Sequence, residues 1–293
     1  MDFDGWGPER WHIHLSLLLN ATNPPDRYRF DIGILAKEFS RNVFPKDPIT
    51  EVMGDALDGF EGALIPSESK KRWGIYYKSD RSAGRQRFTV AHELGHYLLH
   101  RRKYPDGFRC SEEAVDARDG NSIEREANEF ASGLLIPLDD FRRQISVTTR
   151  PDFDQLGECA NRYDVSLIAV ILRWLRYTNR RSMIVVSRDG FIKWAWSSTP
   201  ALKTGRYFKT SGAPIELPTA SAVGENRFTN DVRSGIDHPS GVWFAEECRE
   251  MTIRSQRHDL NYTLLHFSDY VSQADSFEND GLQDTYERFA NAR

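Results

Sequence analysis

Cysteine is scarce in this 293-residue sequence, with only Cys110, Cys159 and Cys248. Three widely spaced cysteines make no disulfide framework and suit a reducing compartment, so a cytoplasmic protein is expected. Long apolar runs are missing too. Leu15 to Leu19 falls far short of the roughly 20 residues that span a bilayer. Asp2 and Asp4 stand where a secretory leader would carry positive charge, so neither a leader nor a membrane segment is expected. Positive charge is not in excess, since 39 Lys and Arg face 43 Asp and Glu for a net charge of -4. That argues against nucleic-acid binding by the chain as a whole and leaves room for a local basic face. No internal repeat is visible. What is present, 39% hydrophobic and 28% charged residues, is ordinary for a globular protein, at a length that suits two domains.

Helical periodicity dominates the first 180 residues. Trp11, Leu15, Leu18 and Leu19 fall at helical spacing before Asn23-Pro24-Pro25. A second helix is predicted over 32–43, with Leu35, Ala36 and Phe39 on its apolar face and Pro45 and Pro48 beyond it. Residues 62–65 and 73–78 read as short strands. A long helix follows over 85–101, its buried side formed by Phe88, Val90, Ala91, Leu94, Tyr97 and Leu98. After a polar stretch, Ser122 caps a helix over 123–135 that Pro137 closes. Residues 154–177 read as two helices around a turn at Asp164, the second capped by Ser166. From Ser182 the period becomes two, with a turn at Arg188-Asp189-Gly190 and later strands at 242–245, 250–256 and 261–267. A boundary is expected near 180 and an acidic tail from about 271.

His92-Glu93-Leu94-Gly95-His96 is an H-E-x-x-H pattern on the long helix. Residues i and i+4 share one helical face, so two imidazoles can converge on one Zn²⁺ at about 2.1 Å. Glu93 stands beside them, where a carboxylate can act as general base. A third ligand is expected from the helix at 123–135. Ala127, Phe130, Ala131 and Leu134 form the face that should pack against the metal helix, and Glu124 shares it. Glu126 lies about 200° around from Glu124 and is the weaker candidate. His100 is about 12 Å along the helix from His92, too far to share the ion. It is expected, with Tyr97, behind the ligands. Cys110 lies between the two metal helices. If its thiolate took the fourth position, it would displace the catalytic water and silence the enzyme.

The run Arg87-Phe88-Thr89-Val90-Ala91-His92-Glu93-Leu94-Gly95-His96-Tyr97-Leu98-Leu99, followed by Glu124-Arg125-Glu126-Ala127-Asn128-Glu129-Phe130-Ala131 and Leu134-Leu135-Ile136-Pro137, resembles the ImmA/IrrE family of zinc endopeptidases. The likeness covers roughly residues 30 to 178 and is similar to the CapP-type regulators of anti-phage defence. It implies an α+β fold: a gluzincin-like zinc peptidase domain (1–149) with a helical, helix-turn-helix-like extension (150–179), then a GAF- or PAS-like mixed α/β sensor domain (180–270). It also implies a limited cut in a helix-turn-helix repressor that induces stress, DNA-damage or anti-phage genes. In such folds an edge strand beside the zinc can pair with the substrate backbone, and the strand at 73–78 is the one expected to do so.

Two segments could meet nucleic acid. The helix pair at 155–177 ends in Arg173, Arg176, Arg180 and Arg181, but its second helix opens with Leu167, Ile168, Val170 and Ile171, more buried than a recognition helix would be. In the C-terminal domain aromatic and basic residues interleave around Arg206, Lys209, Arg254 and Arg257, a pattern that suits unpaired bases. Single-stranded DNA is therefore a candidate activator, with a metabolite equally open. Two other classes compete: a DNA-binding regulator with a structural zinc, and a toxin-like protein that sequesters its partner uncut. Neither needs Glu93.

Overall fold

The computed structural model describes residues 3, 5–22, 27–110, 122–210, 212–256 and 259–269. The polar stretch at 111–121, Arg257 and the expected tail lie outside them. The chain divides into two units, Met1–Gln144 with Gly157–Val170, and Ile145–Leu156 with Ile171–Arg293. Among the described residues no helix is long and apolar enough to cross a membrane.

The first unit is built on a four-stranded sheet, β1 (Ile49–Asp55), β2 (Gly62–Pro66), β3 (Trp73–Lys78) and β4 (Phe108–Cys110), in the order β1-β3-β2-β4. β1 runs parallel to β3, whereas β2 is antiparallel to both β3 and β4. Two sequence expectations change here. β1 was not expected, because an edge strand exposed along most of its length lacks an alternating buried pattern. The strand at 73–78 is not an edge: β3 is interior, and β4, in a stretch read as loop, ends the sheet on the β2 side.

Helices α1 (Pro8–Thr22), α2 (Ile32–Val43), α3 (Ala83–Leu99) and α4 (Ser122–Leu135) complete the core. Asp31 caps α2 by accepting from the Ile34 N–H, 2.9 Å away. Trp11, Leu15 and Leu19 of α1 are buried, but Leu18 is 39% exposed. The helix α3 packs on β2 and β3, and α4 packs on α3. Ala127, Phe130, Ala131 and Leu134 are buried. Gly95 permits this approach, since a Cβ there would lie 3.0 Å from Phe130 Cδ1 and 3.2 Å from Ala127 Cα.

A short helix, α5 (Leu138–Gln144), leads to α6 (Phe153–Tyr163) and α7 (Leu167–Tyr177), each of which has residues in both units. Asp164 turns between them with φ 51°, and Ser166 Oγ accepts from the Ala169 N–H at 3.2 Å.

The second unit is a six-stranded antiparallel sheet. It comprises β5 (Ser182–Arg188), β6 (Phe191–Ser197), β7 (Ile215–Glu216), β8 (Ile236–His238), β9 (Cys248–Ser255) and β10 (Leu260–Phe267), in the order β7-β6-β5-β10-β9-β8. Asp189 and Gly190, at φ 53° and 80°, form the two-residue turn from β5 to β6, the left-handed pair that a tight hairpin requires. Met183, Val185, Leu265 and Phe267 form a core on one face. Ser182 through Ser187 are all buried, which explains why β5 reads as a continuous apolar run rather than an alternation. Residues 242–245 form no strand, only an isolated bridge from Phe244 to Glu246. Two short helices, α8 (Thr199–Leu202) and α9 (Asn230–Ser234), lie in the connections.

Candidate metal centre

The helix α3 carries His92, Glu93 and His96 into the interior, where all three have no exposed surface. The helical turn sets the two imidazole Nε2 atoms 3.0 Å apart. From α4, Glu124 brings Oε2 to 3.1 Å from His92 Nε2 and 3.5 Å from His96 Nε2. The last residue of β4, Cys110, places Sγ 3.5 Å from His96 Nε2. One ligand atom from each of His92, His96, Cys110 and Glu124 lies within 4.8 Å of every other. A tetrahedron with bonds of about 2.1 Å has donors about 3.4 Å apart, so the spacing suits a metal the size of zinc.

The donor chemistry fits as well. Burial works against the Glu124 charge, but the adjacent His92 and His96 imidazoles hold its carboxyl well below the usual carboxylate range. Burial, with some repulsion from His92 and His100, lowers His96 to about 4 despite Glu124, keeping the imidazole neutral as a ligand must be. Burial, reinforced by the charges of Glu93 and Glu124, pushes the Cys110 thiol far up. Without a cation, Cys110 is therefore a thiol. A cation at the centre would favour the thiolate.

Glu93 is different. Burial raises it to about 7, opposed by His92 and by the adjacent Cys110, yet neither of its oxygens meets hydrogen-bond geometry with any described residue. A buried carboxylate without a partner is costly, and beside four convergent donors it is suited to a reacting proton.

The ligand rings are held from behind by different groups. The Nδ1 atom of His92 lies 3.0 Å from Asn128 Oδ1. That of His96 lies 3.1 Å from His100 Nδ1, and His100 Nε2 lies 2.9 Å from Glu126 Oε2. Thus Glu126 lies against His100. The role of Asn128 was missed, although it stands one turn beyond Glu124 on the same helix. Tyr97, expected behind the ligands, instead donates to the Asp47 carbonyl at 3.0 Å and packs on Phe44 and Trp73. One residue of helix, about 100°, turns it away from His96.

The residues singled out for nucleic acid do not form one free basic face. Arg181 is only 4% exposed and gives its guanidinium to Glu246, at 2.7 and 2.9 Å, and to Thr204 and the Ser268 carbonyl. Arg206 shares Glu246, Arg180 pairs with Asp269, and Arg254 pairs with Asp259 at 3.0 Å. Lys209 and Arg176 are exposed and Arg173 is half-buried. Phe208, Phe228 and Phe244 pack against the core.

Two imidazoles and a carboxylate from the next helix, with a second glutamate buried beside them, form a donor set that could hold a metal ion. Residues 48–175 match the M78 peptidase family model, described as the IrrE N-terminal-like domain. That match points to a metallopeptidase-type hydrolase of a family that is typically zinc-dependent. Among solved structures, a Mycobacterium tuberculosis transcriptional regulator is similar in fold, with a TM-score of 0.51 and 14% identity over 87% of this chain and 76% of the other. No curated protein sequence matches at a significant level.

Proposed function

We propose that this chain is a zinc-dependent endopeptidase that makes a limited cut in a helix-turn-helix repressor. The observation that carries the catalytic part is Glu93, buried beside the four-donor cluster with neither oxygen in hydrogen-bond geometry with a described residue. The repressor substrate rests on the family resemblance. The peptidase domain is assigned to residues 1–149, the helical unit to 150–179 and a GAF- or PAS-like sensor to 180–270, the last supported by the six-stranded antiparallel sheet.

In this reading His92, His96 and Glu124 hold the zinc, which supplies a Lewis acid and lowers the pKa of water from about 15.7 toward 7. Glu93 accepts a proton from the attacking water and returns it to the leaving amine. Asn128 and His100 keep the two imidazoles oriented. In this reading β4, the edge strand among the described residues, pairs with an extended substrate segment, which a flexible part of a repressor can supply. Cys110, the last residue of that edge, would compete with water for the metal, since its thiol lies within the same donor cluster. It holds the enzyme silent until β4 shifts. Single-stranded DNA acting through the second unit is the proposed trigger.

The test mixes the purified protein and zinc with helix-turn-helix repressors from the same genome, with and without single-stranded DNA. A discrete fragment pair is expected from the wild type and none from Glu93→Gln. Cys110→Ala should cut without a trigger. Equal basal cleavage by wild type and Cys110→Ala would discard the latch. Equal cleavage with and without DNA would discard the trigger. An uncut repressor under every condition would discard the peptidase.

A further inference from the structure

Among the described residues neither Glu93 oxygen meets hydrogen-bond geometry, so packing must help to place its carboxylate. Behind it lies Gly62, the first residue of β2. A Cβ built at Gly62 would stand 2.6 Å from Glu93 Oε1, 3.3 Å from Glu93 Cδ and 2.5 Å from Thr89 Cγ2. Real Cβ atoms do not approach heavy atoms so closely. The backbone does not require glycine here, because Gly62 is absent from the residues with positive φ. The missing side chain is therefore a matter of space.

The main chain at this point has little room to retreat. Gly62 pairs with Tyr77 of β3 on one side and with Cys110 of β4 on the other. The flanking Glu61 donates its N–H to the Cys110 carbonyl at 2.9 Å and accepts from the Lys78 N–H at 3.0 Å. The side chain of Glu61 is itself buried and gripped by Arg81. A methyl group at position 62 would thus be pressed onto α3 by a clamped strand. The yielding atoms would be the terminal carboxylate of Glu93 and the rotatable methyl of Thr89, not the backbone.

We infer that Gly62 is a positioning residue for Glu93: its bare backbone forms the notch that seats the carboxylate. The inference deepens the peptidase reading and rests on it for its kinetic consequence. A displacement of about 1 Å at a reacting group can cost on the order of 10²-fold in rate.

The test compares wild type, Gly62→Ala, Thr89→Ser and the double variant, in full-length zinc-loaded protein with the repressor and single-stranded DNA present. Gly62→Ala is expected to lose on the order of 10²-fold in kcat, with KM and zinc affinity close to wild type. The double variant removes the Thr89 Cγ2 contact and leaves the Glu93 contact, so it should stay slow, while Thr89→Ser alone should cleave normally. A crystal structure of Gly62→Ala should show the Glu93 carboxylate displaced. Wild-type kcat in Gly62→Ala, recovery in the double variant, or a parallel loss of zinc affinity would overturn the inference, the last two assigning Gly62 to general packing. If neither the wild type with single-stranded DNA nor Cys110→Ala cuts the repressor, the peptidase reading falls separately. The crystal structure then decides: a displaced carboxylate upholds Gly62 as its seat, and an unmoved one overturns it.

Discussion

His92 and His96 are identical side chains one helical turn apart, but their outer nitrogens are satisfied by different means. Asn128 can accept from His92 Nδ1–H directly. For His96 the acceptor is His100 Nδ1, which is free to accept only if its Nε2 carries the proton, and Glu126 lies at that Nε2. A half-exposed carboxylate at position 126 thereby fixes the tautomer of His100, and through it leaves the His96 Nε2 lone pair facing the cluster. Replacing His100 by Leu is expected to lower zinc affinity about 10- to 100-fold, measured by competition with a chromophoric chelator. Replacing it by Gln, whose amide oxygen can still accept, should retain most of that affinity. Equal losses in the two variants would show that ring packing, not the hydrogen bond, is what His100 contributes.

At the scale of elements, the centre depends on how closely α4 approaches α3. Gly95 sits between the two histidines, where Phe130 and Ala127 press against it, and Glu124 lies one turn before Ala127. Gly to Ala in a helix interior ordinarily gains about 1 kcal/mol, but this site has little space. Gly95→Val, bulkier still, should destabilise the protein by about 1–3 kcal/mol through overpacking. It should also weaken zinc binding by moving Glu124 outward. Urea unfolding with a parallel zinc titration checks both, and an unchanged midpoint would mean the helices are not in tight contact at Gly95. The sheet makes a related point. β3 carries the stronger strand pattern, yet the strand at the β2-side edge is the three-residue β4, which ends at Cys110.

Over the whole molecule, the second unit carries a pH dependence separate from the metal centre. His266 of β10 is 4% exposed, its ring lies 5.7 Å from that of Trp174, and its Nδ1 is 2.8 Å from Ser182 Oγ. Burial, helped by the charges of Arg150 and Arg249, lowers it from 6.5 to about 4. The folded chain then binds fewer protons than the unfolded one between those values. The stability from a neutral His266 is fully present above about pH 6.5 and is lost as pH falls toward 4, on the order of 3 kcal/mol in all. Urea midpoints at pH 7 and pH 4.5 should fall further for wild type than for His266→Asn. Parallel falls would assign the acid sensitivity to other groups.

What the sequence by itself determined is whatever depends on neighbours within a few residues. The bounds of α2 follow from apolar spacing and from Pro45 and Pro48 beyond it, and the β5–β6 turn from Asp189-Gly190. The meeting of His92 with His96 follows from one helical turn, and the inward face of α4 from Ala127, Phe130, Ala131 and Leu134. Each is a matter of period or turn chemistry, which short segments carry whole. Tertiary structure alone decided that β3 is interior, that β1 lies parallel beside it, that Glu126 lies against His100, and that Gly62 lies under Glu93. Each of these joins residues from separate elements. Strand order and side-chain approach are set by how whole elements pack, and no local period encodes which distant backbone a carboxylate will rest against.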